Sequence, residues 1–303
     1  MLDSFRLSHR QILIRNADRL RIEEFTFKTA GSLAATVLDP PDRALLGITQ
    51  SVGDNMAFYG LWVHQHLRKI RTRNKASGNV RLAPLDERLL QVILLHKLMQ
   101  RLDSRQSPEL RVAHHAVGAM IQKDLTLLLA EVRLEQWSRI FNLSKLRGID
   151  PREWEKHIAG ASAATFVLMT LASREGAEVF LPTGHEDVYL GIDLFWVEQG
   201  TTHAVSVKCI TGQDTPVRVW CVSESSHCDN DDRVVTDQRN ISLGARRFAS
   251  SEGRSCTPIL VYVAKPEGSH VRLDLDWGRL TWPQQILETI LDRCMPLQID
   301  LAR

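Results

Sequence analysis

The segment that most constrains the fold is a helix-forming stretch near the middle of the chain, residues 152–176. Between 161 and 172 its residues are apolar on nearly every side of a helix. A helix without a polar face has to be buried. The runs that follow it are apolar or alternate in the way typical of strands. They are AEVFLPT, VYLGIDLFWVE, HAVSVKCI, PVRVWCVS, TPILVYVAK and VRLDLDW. The second half is therefore predicted to pack helices on a sheet.

The first half of the chain has little strand-like alternation. Its apolar residues recur at spacings of three and four, which is typical of amphipathic helices. Helices are predicted over 86–102 and 108–141. We expect this half to form an all-helical domain.

A break between the two halves occurs at LRGIDPREWEKH, residues 146–157. Gly148 is suited to end one helix, and Asp150 and Pro151 are suited to cap and begin the next. The chain is predicted to divide into a helical domain, 1–150, and an α/β domain, 151–303. The second domain is predicted to end in a helix, WPQQILETILDRC.

The composition is that of a globular protein, with 44% apolar and 24% charged residues among 303. The formal net charge of +2 is small, so binding of nucleic acid would need local basic patches.

No window reaches the roughly 18 apolar residues of a membrane span, and the N-terminus lacks a signal-peptide layout. The five cysteines include no C-x-x-C pair. We expect a cytoplasmic protein with reduced thiols and no membrane contact.

The stretch GIDLFWVEQGTTHAVSVKC, residues 191–209, reads as a hairpin with one acid and one base. If the turn closes near Glu198 and His203, Asp193 lies across from Lys208. A tighter turn places Asp193 across from Ser206. Both registers leave positions 193, 195, 206 and 208 on one face, because side chains alternate with a period of two. The opposite face is expected to be apolar: Ile192, Leu194, Trp196, Val205 and Val207.

The order of these elements resembles the PD-(D/E)xK phosphodiesterase superfamily, which has the restriction-endonuclease-like fold. The matching features are a buried helix, a strand, the polar stretch TGHED, a strand with Gly-Ile-Asp, and a strand ending in Val-Lys. The resemblance covers about residues 152–265. It implies a mixed sheet flanked by helices, with Mg²⁺ or Mn²⁺ as cofactor. By position, Asp193 and the carbonyl of Val207 would hold the metal, and Lys208 would be the catalytic lysine.

The chain departs from the superfamily pattern at two places. Ser206 stands where an acid usually precedes the lysine, and the helix reads GASAAT, 160–165, with no acid. The chain is most similar to branches with G-x-D and (Q/S)-V-K motifs, so other acids are needed. Asp187 is favoured, since it lies six residues before Asp193 and on the same face if the strand is unbroken. The other candidates are Glu175, Glu178 and Glu186.

Two basic regions are candidates for contact with DNA. The run 66–81 holds six Lys or Arg and no acid, which suits salt-dependent phosphate binding. The residues predicted to bind there are Arg68, Lys69, Arg71 and Arg73. The helix predicted over 237–248 contributes Gln238, Arg246 and Arg247 if the nuclease hypothesis holds.

The resemblance implies a metal-dependent DNA endonuclease of a microbial restriction, defence or mobile-element system. The alternative is a catalytically inactive nuclease-like fold that acts as a structural or nucleic-acid-binding subunit. The helical domain is expected to contact DNA or a protein partner, and an oligomer is possible. Motifs typical of P-loop ATPases, serine hydrolases and zincins do not occur in the sequence, so those classes are disfavoured.

Overall fold

The computed structural model describes residues 50–76, 84–102, 107–132, 137–142, 149–172, 174, 176–182, 184–211, 217–222 and 231–265. These residues form two compact units, which divide between Ala161 and Ser162. The division falls inside a continuous helix, eleven residues beyond the boundary predicted from Asp150 and Pro151. The predicted strand VRLDLDW and the predicted final helix lie outside the described residues.

The first unit is helical in its described part, as its apolar periodicity predicts. The helices are α1 (Val52–Ala76), α2 (Pro84–Met99), α3 (Pro108–Glu131) and α4 (Trp137–Phe141), followed by the first half of α5 (Pro151–Ala172). Helix α1 buries a stripe that includes Tyr59, Val63, Leu67 and Ile70, the spacing of one helix face. Helices α1, α2 and α3 pack against one another.

Helix α5 begins where the sequence predicts. Its first residue is Pro151, and the carboxylate of Asp150 accepts hydrogen bonds from the backbone N–H groups of Arg152 (2.8 Å) and Glu153 (3.1 Å). A proline at this place lacks only an N–H that has no partner within the helix. The cap therefore satisfies two of the N–H groups that a helix start leaves unpaired.

The second unit contains a mixed five-stranded sheet, which confirms the predicted α/β class. Its strands are β1 (Glu178–Phe180), β2 (Leu194–Glu198), β3 (Thr201–Thr211), β4 (Val217–Cys221) and β5 (Cys256–Lys265), in the order β1-β2-β3-β5-β4. Strands β3 and β5 are parallel, and the other neighbouring pairs are antiparallel. Helix α7 (Asp232–Glu252) lies between β4 and β5 in the chain.

The β2–β3 hairpin closes through a two-residue turn. Gln199 and Gly200 have φ values of 49° and 77°, as a type I′ turn requires, and Glu198 pairs with Thr201. The ladder continues to Leu194 opposite Val205. This is the tighter of the two predicted registers, but the regular pairing stops here, because the backbone N–H of Asp193 also donates to the carbonyl of Val205 (2.9 Å).

Both faces of this hairpin are buried, which corrects the expectation of one apolar and one charged face. Phe195 lies on the face expected to be charged, and it packs against Phe248 of α7 with ring centres 4.5 Å apart. Ile192 joins this same core instead of the opposite face. The reason is that Ile192 precedes β2 and does not follow its alternation. The core on this side includes Phe180, Ile192, Phe195, Ala204, Ile210, Val234, Ile241, Phe248, Leu260 and Tyr262.

The opposite face of the hairpin buries an aromatic pair and an ion pair. Trp196 and His203 are cross-strand partners whose rings stack at 4.6 Å. Burial lowers the pKa of His203, and nearby Glu198 opposes this shift. Arg174 donates to one carboxylate oxygen of Glu198 at 2.8 Å through Nε. This pair ties the segment after α5 to the end of β2.

Residues 184–190 form a short helix, α6 (Gly184–Leu190), and not the first part of a strand. The backbone N–H of Gly191 donates to the carbonyl of Asp187 (3.0 Å), and Gly191 has a φ of 63°. A glycine in this left-handed conformation is a common helix end. Because Asp187 lies on α6, the expectation that it shares a strand face with Asp193 is wrong.

Helix α6 ends directly against helix α7. A Cβ atom at Gly244 of α7 would overlap the backbone carbonyl oxygen of Leu190. Only glycine leaves room for this approach, because the obstacle is backbone and cannot rotate away. The contact sets where the chain leaves α6, three residues before Asp193.

A buried and a half-buried histidine form a small cluster in the helical unit. The ring of His96 is fully buried and meets the rings of Trp154 (5.3 Å) and His157 (5.9 Å) edge to face. Burial lowers the pKa of His96 and of His157 to about 4, although Asp150 and Glu153 oppose the shift at His96. Both rings are therefore neutral in the folded protein near neutral pH.

We expect acid to destabilise this unit. The unfolded state takes up protons at these histidines below about pH 6.5, whereas the folded state does so only near pH 4. The contribution of these histidines to the free energy of unfolding is fully present above pH 6.5 and is lost as the pH drops towards 4. For His96 alone this contribution is roughly 3 kcal/mol. Chemical unfolding at a series of pH values measures this. His96→Gln should flatten the profile and exposed His64→Gln should not; identical profiles would contradict the assignment.

Candidate functional site

The residues singled out in the hairpin meet where strand β2 begins. Asp193 immediately precedes β2, and Ser206, Val207 and Lys208 are consecutive in β3. The backbone N–H of Asp193 donates to the carbonyl of Val205 (2.9 Å), so the chain is still held against β3 at this point. The structure thus brings together the acid, the serine and the lysine.

The carboxylate of Asp193 is anchored to β3 through one of its oxygens. Oδ2 accepts hydrogen bonds from the backbone N–H of Val207 (2.7 Å) and from the hydroxyl of Ser206 (3.1 Å). The backbone ladder between β2 and β3 ends at Leu194 and Val205. Beyond it, the backbone N–H of Val207 donates to the carboxylate of Asp193 instead of to a backbone carbonyl. Ser206 is 3% exposed, so its hydroxyl depends on this bond.

The ammonium of Lys208 approaches the same carboxylate oxygen. Its Nζ lies 3.9 Å from Oδ2 of Asp193, with the lysine side chain 35% and the aspartate side chain 18% exposed. At this distance and exposure the ion pair is weak, because water screens it. Lys208 is therefore positioned beside Asp193 and remains able to turn towards a ligand.

The second oxygen of the Asp193 carboxylate, Oδ1, accepts no hydrogen bond from the residues that the structure describes. The N–H and C=O of one strand residue point to the same side, so the carbonyl of Val207 faces the side on which Asp193 lies. One carboxylate oxygen and one carbonyl are a donor set that Mg²⁺ accepts when water and substrate phosphate complete its shell. The residues present therefore fit one divalent cation.

The further acids expected to join Asp193 lie on other elements. Glu186 and Asp187 are half-buried in the first turn of α6, and Glu178 is exposed at the start of β1. Glu175 lies outside the described residues. Within the described ranges no three His, Cys, Asp or Glu side chains form a group able to hold a metal.

A polar contact that the sequence pattern does not reveal lies beside Lys208. Tyr262 of β5 is the direct partner of Lys208 in the parallel ladder. Its hydroxyl donates to a carboxylate oxygen of Asp237 in α7 (2.5 Å). Burial raises the pKa of Tyr262 further above its usual value of 10, and the bond to Asp237 adds to this. The tyrosine stays neutral and links α7 to the sheet.

The predicted DNA-binding residues of α7 do not share one face. Gln238 is 1% exposed and belongs to the inward face with Val234 and Ile241, so it does not lie on the expected binding surface. Arg246 and Arg247 are exposed, as is Arg239. The helical phase explains the difference, because position 238 is one turn from 234 and 241.

The predicted basic run begins inside helix α1. Arg68, Lys69 and Arg71 are exposed on its last turns. Arg71 donates to both carboxylate oxygens of Glu87 in α2, so part of its charge is already offset. The side chain of Arg73 lies outside the described part of the chain.

Comparisons of the chain with known protein families, with curated proteins and with solved structures find no significant match. Among the residues that the structure describes, no helix is long and apolar enough to cross a membrane.

The anchoring role of Asp193 can be separated from its charge. Asp193→Ala leaves the buried N–H of Val207 without an acceptor and should lower the free energy of unfolding by about 1–3 kcal/mol. Asp193→Asn keeps an oxygen able to accept that bond, so its loss should be smaller. Chemical denaturation of the two variants measures the difference. Equal stabilities for both variants and the wild type would show that the anchor contributes nothing.

Proposed function

We propose that this chain is a metal-dependent DNA endonuclease that hydrolyses phosphodiester bonds, with its active site at Asp193 and Lys208. The observation that carries the proposal is their geometry. One oxygen of Asp193 is fixed to β3, the other accepts no bond from the described residues, and the ammonium of Lys208 lies 3.9 Å from the fixed oxygen.

The topology supports a restriction-endonuclease-like fold for the second unit. A helix precedes an antiparallel β1-β2-β3 meander, and β5 returns parallel to β3 after helix α7. This is the order of elements on which the resemblance to the PD-(D/E)xK superfamily rests. The Gly-Ile-Asp and Ser-Val-Lys motifs meet at its centre.

The side chains at this site have distinct tasks in the proposed reaction. Asp193 and the carbonyl of Val207 would hold Mg²⁺ or Mn²⁺, which lowers the pKa of a bound water and polarises the scissile phosphate. Lys208 donates to a phosphate oxygen and offsets the charge that grows as the attacking oxygen adds. Ser206 keeps Asp193 in place by donating to its fixed oxygen.

The proposed substrate is DNA of a microbial restriction, defence or mobile-element process. Exposed Arg246 and Arg247 of α7 supply positive charge on the same unit as the proposed active site. Exposed Arg68 and Lys69 of α1 give the helical unit a basic surface of its own. Both surfaces suit the salt-dependent attraction that phosphate backbones exert.

Plasmid digestion with Mg²⁺ or Mn²⁺ tests the proposal. Lys208→Ala should slow cleavage by on the order of a hundredfold or more, because it removes a donor that stabilises the transition state. Asp193→Asn should also abolish cleavage while the fold persists. Lys156→Ala is a matched control, since this lysine of the helical unit is 71% exposed and pairs with its neighbour Glu153. Equal cleavage by all four proteins would contradict the proposed site.

A second function is favoured by Ser206, whose hydroxyl occupies the place of an acid and donates to Asp193. In this alternative the fold is catalytically inactive and serves as a structural or nucleic-acid-binding subunit. The same digestion distinguishes the two functions. The inactive fold yields no metal-dependent cleavage by the wild type, and it binds DNA equally well after Asp193→Asn.

A further inference from the structure

A group of buried polar atoms lies on the hairpin face that carries Trp196 and His203. His203 is 5% exposed, and neither of its ring nitrogens has a hydrogen-bond partner among the described residues. The indole N–H of Trp196 and Oε2 of Glu198 are also buried and, within the same part of the chain, make no hydrogen bond. A buried polar group without a partner costs free energy. The hairpin therefore holds hydrogen-bonding capacity that this arrangement of its side chains leaves unused.

The strand register puts two different partners within reach of the His203 ring. Trp196 lies directly across from His203, and the two rings stack with centres 4.6 Å apart. Glu198 pairs with Thr201, so it is the diagonal neighbour of His203 on the same face. Diagonal neighbours lie about 7–8 Å apart, a distance that long side chains and rings can cross. Rotation of the imidazole therefore exchanges the face of Trp196 for the carboxylate of Glu198.

Glu198 can accept a further donor without losing the one it has. Arg174 donates to Oε1 through Nε at 2.8 Å, which holds the carboxylate in place. Oε2 accepts no hydrogen bond from the residues that the structure describes. A neutral imidazole has an N–H on one nitrogen, whereas a charged imidazole has an N–H on both. The charged ring can thus donate to Oε2 through either nitrogen.

The charge that acts on His203 comes from the Glu198 side. Burial favours the neutral ring and lowers the pKa of His203, and the carboxylate of Glu198 opposes this shift. The partners of His203 on the neighbouring strands, Trp196 and Thr257, are uncharged. The half of α5 that belongs to this unit, 162–172, has no ionisable side chain. The ring is therefore neutral near neutral pH and becomes charged in mild acid.

We propose that His203 is a proton-operated switch in the β2–β3 hairpin: the neutral ring stacks on Trp196, and the charged ring turns to donate to Oε2 of Glu198. Protonation then replaces a ring contact by a charge-assisted hydrogen bond, and the carboxylate joins the charged ring to Arg174. The switch acts at the turn end of the hairpin. It is a property of the hairpin itself and holds whether or not the chain is a nuclease.

Nuclear magnetic resonance of the full chain with labelled histidines tests the switch. The ring protons of His203, assigned by comparison with His203→Gln, should lie upfield at neutral pH, because the indole ring of Trp196 faces them. As the pH falls, they should move downfield by more than protonation alone causes, since the ring leaves Trp196. Exposed His64 is the internal control, and its ring protons should move only as far as an ordinary protonation moves them.

Two variants of the ion pair should shift the titration of His203 in opposite directions. Glu198→Gln removes the carboxylate that favours the charged ring, so the midpoint should move to lower pH and the ring should stay stacked. Arg174→Gln removes the cation that competes for Glu198, so the midpoint should move to higher pH. A general loss of folding would not produce opposite shifts, and circular dichroism at each pH follows the folding of each protein.

Three results would overturn the switch. The first is a His203 ring that titrates while its protons keep the upfield position of the stacked ring, as a ring bonded to water would. The second is an equal midpoint in the wild type and in both variants. The third is titration that coincides with loss of the circular dichroism signal, because the ring would then become charged only in the unfolded chain.

Discussion

The hydrogen bond from the backbone of Val207 to the carboxylate of Asp193 ends the β2–β3 ladder and organises the proposed site. The backbone pairing of the two strands ends at Leu194 and Val205. The N–H of Val207 is buried, and leaving it without an acceptor would cost free energy. One oxygen of the Asp193 carboxylate accepts this N–H. The other oxygen accepts no hydrogen bond from the described residues. Ser206 donates to the same carboxylate oxygen as Val207, and the ammonium of Lys208 lies 3.9 Å from it.

The position of Asp193 in turn depends on packing on both sides of the hairpin. Phe195 on one face packs on α7, and Trp196 on the other stacks on His203. The chain reaches Asp193 from α6, whose last carbonyl rests against Gly244 of α7. Asp193 itself lies in no helix or strand. Its position is therefore set by its buried neighbours in sequence and by the contact between α6 and α7.

The division into helical and sheet-containing parts was predictable because long periodic segments such as α2 and α3 signal their class strongly. The hairpin was predictable only to two registers, since Gln-Gly is a less specific turn than Asn-Gly. Helix α6 was missed because seven residues hold too few turns for a periodic signal. The burial of Gln238 could have been predicted, because it lies one helical turn from the apolar residues Val234 and Ile241. The bond from Tyr262 to Asp237 joins distant segments, and local pattern carries no information on it.

In the proposed function, the oxygen of Asp193 that is not bonded to β3 binds a divalent cation. Titration of the protein with Mn²⁺, followed by electron paramagnetic resonance of the free ion, measures this independently of substrate and turnover. We expect the wild type to bind one Mn²⁺ and Asp193→Asn, folded as judged by denaturation, to lose this binding. Binding of equal strength in both proteins, or none in the wild type, would contradict it.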